Sequence, residues 1–149
     1  MKLISTRTHG VLDLATAATM VALPRLMGWS DMVTRTLTTL GGGALGYSLL
    51  TRYEFGLWKV LPMPAHLALD AVSGVTLCAS PWLLPDEDPE VISVLVGMGV
   101  FELAAAALTE TQPRLNEEGI DSLKASGRWA QTDAGYADEL RRSSTSAML

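Results

Sequence analysis

The chain has 149 residues, is 48% apolar with a mean hydropathy of +0.25, and carries a formal net charge of −5. That length serves one domain, and an acidic balance without a basic run gives nucleic acid no platform. The one cysteine, Cys78, excludes an internal disulfide and any multi-cysteine metal site.

Hydropathy is uneven along the chain: apolar stretches alternate with short polar ones up to about Thr109, and the text turns polar from Glu110. The first apolar stretch runs from about Thr6 to Met27. Lys2 and Arg7 imitate the start of an export signal, but Asp13 interrupts the hydrophobic part, so a retained helix is expected. The second stretch covers about Val33 to Thr51, the third about Pro64 to Leu84, and the fourth about Val91 to Thr109. Each approaches the roughly 20 residues that cross about 30 Å of hydrocarbon. Segments 36–51 and 71–84 carry no charge on any face, whereas a surface helix of a soluble bundle shows a polar stripe. The expected fold is therefore all-α: a four-helix transmembrane bundle over residues 1–109, followed by a polar cytoplasmic tail, 110–149, with the composition of a disordered segment.

Loop charge supplies an orientation. Lys2, Arg7, Arg52, Lys59 and the basic residues of the tail fall on one side, while the other side has only Arg25 and Arg35, its loop PDEDPE carrying no basic residue. Positive-inside counting places both termini in the cytoplasm of a multi-pass inner (plasma) membrane protein. Trp29 and Trp82 would then mark the outer interface, and Tyr53 and Trp58 the inner one.

Residues 9–24, HGVLDLATAATMVALP, and 66–81, HLALDAVSGVTLCASP, share H-x-x-L-D followed by ten residues and a proline. His9 aligns with His66, Leu12 with Leu69, Asp13 with Asp70 and Pro24 with Pro81. A weaker echo follows, with Gly41 and Gly43 against Gly97 and Gly99 and Leu50-Thr51 against Leu108-Thr109. The pattern is that of a duplicated helical hairpin, about 6–51 and 64–109, with both copies facing the same way in the membrane. Ser80-Pro81-Trp82 near the end of the third stretch, with a short polar loop and another apolar stretch after it, resembles the SPW-repeat family of small bacterial and archaeal membrane proteins. The resemblance covers about residues 6–109; the first copy, Leu23-Pro24-Arg25, departs from the tripeptide. It implies paired transmembrane helices and a membrane location, and no particular activity.

His9 and Asp13 are four apart, as are His66 and Asp70, so each pair shares a helix face. If those faces meet, they form a polar clasp between helices. Sharper alternatives are a metal site of two imidazoles and two carboxylates, or a proton or ion relay through Asp13, Asp70 and Glu102. Glu102 lies in the least polar stretch and is expected to bond to a Ser or Thr of a neighbouring helix. Gly42 and Gly46, with Gly97 and Gly99, offer small faces for close helix packing. Pro24 and Pro81 are expected to kink or end their helices. No nucleophile–base arrangement stands out, so the lead expectation is a non-enzymatic membrane protein with no cofactor and no metal, structural or partner-binding in role. Its partners would be the lipid bilayer and either a second copy or another membrane protein. A small channel or transporter using the intramembrane acids is the alternative.

Overall fold

The computed structural model describes residues 3–111, together with the isolated positions Ala125, Gly127 and Gly135. The tail expected to be disordered thus lies almost wholly outside the described residues. Those described are helical, without a strand: α1 (Thr6–Leu26), α2 (Asp31–Leu50), α3 (Met63–Cys78), α4 (Ser80–Leu83) and α5 (Pro89–Leu108). The all-α expectation is borne out.

Local chemistry sets the boundaries. Ser5 and Ser30 cap α1 and α2, their hydroxyls accepting from the amides of Thr8 at 3.1 Å and Val33 at 3.2 Å. Pro64 and Pro89 sit in the first turns of α3 and α5, where a missing N–H costs nothing. Gly28 closes α1 with a φ of 65°, letting the Trp29 amide reach back to the Pro24 carbonyl at 2.9 Å.

The third stretch departs from expectation. It does not run unbroken to Leu84; it stops at Cys78 and restarts as the four-residue α4, SPWL. The cause is Pro81, which has no N–H to continue the ladder. The Ala79 amide still closes on Val75 at 2.9 Å, and the Leu83 amide then bonds Ala79 at 3.1 Å to start a new turn. Of the described helices one, α5, is by itself long and apolar enough to cross a membrane; α3 is apolar but only 16 residues long.

Two antiparallel helix pairs, α1 with α2 and α3 with α5, build the domain, and α2 meets α3 between them. At the end holding the α1–α2 and α4–α5 turns, Met20, Val33, Leu37, Leu77, Val91 and Leu95 form an apolar cluster. Within each pair the close approach is made by small residues. A Cβ on Gly41 would lie 2.9 Å from Met20 Cβ, and one on Gly99 would lie 2.6 Å from the Gly74 carbonyl oxygen. Gly99 thus packs as expected. Gly42, Gly46 and Gly97 do not: a Cβ on any of them meets nothing within 4 Å. One residue turns a helix by about 100°, so Gly41, beside the expected stripe, faces the partner instead.

The opposite end is covered by the connection between α2 and α3. Leu57 and Leu61 donate to the carbonyls of Leu49 and Leu50 at 2.7 and 2.8 Å, folding the segment back over the helix end. Gly56 is required there, because a Cβ would overlap the Thr51 carbonyl. Tyr53, expected at a membrane interface, is instead only 3% exposed, in a cluster with Met63, Leu67 and Ala106. Trp58 and Trp82 are 64% and 80% exposed.

Candidate functional site

His9 is the fourth residue of α1 and His66 the fourth of α3; one turn on stand Asp13 and Asp70. The two faces converge. His9 Nε2 lies 3.0 Å from Asp70 Oδ2 and 3.2 Å from Asp13 Oδ1, while His66 Nε2 lies 3.0 Å from Asp13 Oδ2 and 3.3 Å from Asp70 Oδ2. Each histidine therefore touches both its own helix's carboxylate and that of the other pair. One donor atom from each of the four residues falls within 4.8 Å of all the others. The imidazoles meet edge to face with centroids 5.3 Å apart, and both are essentially sealed, at 1% and 0% exposure.

The outward nitrogens are held in a crossed pattern. His9 Nδ1 is 2.8 Å from Thr109 Oγ1 at the end of α5, and His66 Nδ1 is 2.8 Å from Thr51 Oγ1 at the end of α2. Each threonine hydroxyl donates its single proton to a carbonyl four residues back, Tyr47 at 2.7 Å for Thr51 and Ala105 at 2.6 Å for Thr109. Each Oγ can then only accept from the histidine, so Nδ1 carries the proton in both rings. Both Nε2 atoms face the carboxylates. Backbone geometry repeats the correspondence: Ile4 bridges to Thr109 and Leu61 to Thr51, each in parallel fashion.

Further groups steady the carboxylates. Tyr47 donates its hydroxyl to Asp70 Oδ1 at 2.6 Å, and Ser48 donates to Asp13 Oδ2 at 3.3 Å. The Tyr47 ring stands edge-on to His66 with centroids 4.9 Å apart. Above them, Tyr53 packs on His66, with centroids 5.6 Å apart, and against Gly10. Burial pushes its phenol up to about 12. Thr6, also buried, donates to both oxygens of Glu54 at 2.9 and 3.0 Å, tying the loop to the start of α1.

Glu102 is buried on α5 but does not join the four. It lines a small cavity of about 20 Å³ together with His9, Asp13, Tyr47 and Asp70, a volume near that of one water. Its Oε2 and the Ser73 hydroxyl on α3 are both buried without a hydrogen-bond partner, so the expected bond to a neighbouring Ser or Thr is not formed by that oxygen. Ser80, Pro81 and Trp82 lie at the far end of α3, fourteen residues or roughly 21 Å of helix from His66, and take no part in this junction. The Ser80 hydroxyl is buried without a partner, whereas Trp82 is exposed.

The histidines and aspartates were legible from their spacing; Thr51, Thr109, Tyr47 and Ser48 were not. The Leu-Thr echo at 50–51 and 108–109 was the available signal, visible as repetition before its chemistry was. No protein-family model, curated protein or solved structure matches the chain.

Proposed function

We propose that this is a non-enzymatic integral membrane protein in which two tandem helical hairpins, α1–α2 and α3–α5, lie within the bilayer and are clasped by the His9, Asp13, His66 and Asp70 junction. Its role on this reading is structural or partner-binding, with both termini cytoplasmic. One observation carries the proposal: the polarity of the helices is reversed from that of a soluble bundle. Val11, Leu14, Leu45, Leu69, Val72, Val75, Val100 and Phe101 are exposed on the helix shafts, between 41% and 64%, while His9, His66, Asp70 and Glu102 are buried. The exposed charges on the long helices, Arg7, Arg25, Asp31, Arg35 and Glu90, all fall within about a turn and a half of an end. Such an apolar girdle suits lipid, and ionisable groups turned inward, away from acyl chains, are what a bilayer demands. The duplicated H-x-x-L-D pattern and the likeness to SPW-repeat proteins agree with it. The test is fractionation of expressing cells: the protein should stay with membranes through an alkaline carbonate wash and need detergent for release. Monodisperse protein in detergent-free buffer would overturn the reading.

A second reading, a proton or ion relay, draws on the cavity that brings Glu102 to the same space as His9, Asp13 and Asp70. Reconstituted liposomes would then show proton flux that is lost in the combined Asp13→Asn, Asp70→Asn, Glu102→Gln variant. Equal flux in both excludes it.

A further inference from the structure

The crossed Thr–His pairing leaves a charge problem at the centre of the junction. With Nδ1 protonated, a neutral imidazole aims the lone pair of Nε2 at carboxylate oxygens that are themselves electron-rich. Two such rings and two carboxylates amount to two negative charges in a largely buried space, which is costly unless a second proton on each ring or a bound cation neutralises them. His66 Nε2 makes the point sharply. It lies 3.0 and 3.3 Å from carboxylate oxygens, yet it is buried with no hydrogen bond in good geometry to either.

We infer that His9, Asp13, His66 and Asp70 form a closed four-coordinate site for one divalent transition-metal ion, with Zn²⁺ the best fit. Each ring supplies Nε2 and each aspartate one oxygen. In a tetrahedral zinc site with bonds of about 2.0–2.1 Å, neighbouring donors stand about 3.3 Å apart. Here both Nε2 atoms stand 3.0 and 3.3 Å from the same Asp70 Oδ2, His9 Nε2 is 3.2 Å from Asp13 Oδ1 and His66 Nε2 is 3.0 Å from Asp13 Oδ2, so either Asp13 oxygen can complete a set whose members all lie within 4.8 Å of one another. A doubly charged ion renders the set neutral, the state that burial favours. Two nitrogens with two oxygens suit zinc or a similar borderline ion; calcium and magnesium prefer six or more oxygens, and copper(I) prefers sulfur.

The surroundings match what a metal-binding histidine needs. The non-ligating Nδ1–H of each ring is anchored by a threonine, and Asp70 keeps Oδ1 for the Tyr47 hydroxyl while Oδ2 faces the centre. Such outer partners orient the ligands and fix the tautomer. With all four positions taken by protein, the ion would pin α1 to α3, deepening the clasp proposed above and resting on it.

The experiment uses the full chain in detergent, stripped with EDTA and re-exposed to zinc sulfate or cobalt(II) chloride. Expected are one zinc per chain by elemental analysis after gel filtration, a tetrahedral cobalt(II) visible spectrum, and a metal-dependent rise in melting temperature. His66→Gln and Asp13→Asn should abolish all three, while Glu102→Gln retains them. Should the ligand variants fail to fold, Thr51→Val and Tyr47→Phe keep every ligand and should weaken zinc binding roughly 10–100-fold. Metal content well below one per chain in the wild type, or equal zinc affinity in Thr51→Val and Tyr47→Phe, overturns the site. A wild type that binds no metal but is destabilised by His66→Gln overturns the metal and leaves the clasp standing.

Discussion

Thr109 Oγ1 lies 2.8 Å from His9 Nδ1, joining residues 100 positions apart at the first and last helices of the domain. Thr51 makes the matching contact to His66 at 2.8 Å. Replacing either threonine with the isosteric valine strands a buried N–H. Thr109→Val should lower unfolding free energy by about 1–3 kcal/mol, and Thr51→Val by a similar amount. A double-mutant cycle should show coupling of at least about 0.5 kcal/mol, since both feed one network. Denaturant titration in mixed micelles, followed by circular dichroism, reads it directly.

The carboxylates should prove less forgiving than the hydroxyls around them. Asp70→Asn removes a charge that faces both histidines, and breaking a buried pair from one side costs about 3–5 kcal/mol. Tyr47→Phe removes one donor to the same carboxylate and should cost about 1.5–3 kcal/mol, as for a hydrogen bond to a charged group. An Asp70→Asn variant as stable as the wild type would show that the junction does not hold the hairpins together.

Glycines sort by contact. Gly99→Ala sets a methyl 2.6 Å from the Gly74 carbonyl, and Gly56→Ala overlaps Thr51, so both should be strongly destabilising. Gly42→Ala and Gly97→Ala meet open space within helices and should be neutral or stabilising by about 0.5–1 kcal/mol. Thermal melts of the four single variants in one detergent supply the comparison.

Tyr53 gives an alkaline signature. Its phenol, normally ionising near 10, is raised to about 12 by burial in the connection over the helix ends. The folded state therefore holds this proton more tightly than the unfolded chain, and stability falls as pH climbs from 10 through 12. Absorbance titration should show the late phenolate. Tyr53→Phe should lower stability less steeply with pH over that window than the wild type does.

The extents of α1, α2 and α5 could be read to within about two residues, because the apolar stretches end where the helices do. So could the His/Asp faces, through four-residue spacing on a single helix. Convergence of those faces could not, since it depends on how separate helices rotate against one another. The same rotation explains why Gly41 packs and Gly42 does not. The break at Ala79 was half-visible: Pro81 promised an interruption, but whether a proline bends a helix or ends it depends on what catches the next amides. Tyr53 looked like an interfacial aromatic by position alone; only the folding back of its loop carries it inside.

The crossing of threonine and histidine also orders events in time. His9 emerges early from the ribosome, yet its acceptor is made a hundred residues later. At roughly 5–20 residues per second, translation leaves that imidazole without Thr109 for on the order of 5–20 s. Through this interval the nascent N-terminal half stays incomplete, and a chain ending short of residue 109 would leave the His9 Nδ1–H without the acceptor that Thr109 supplies.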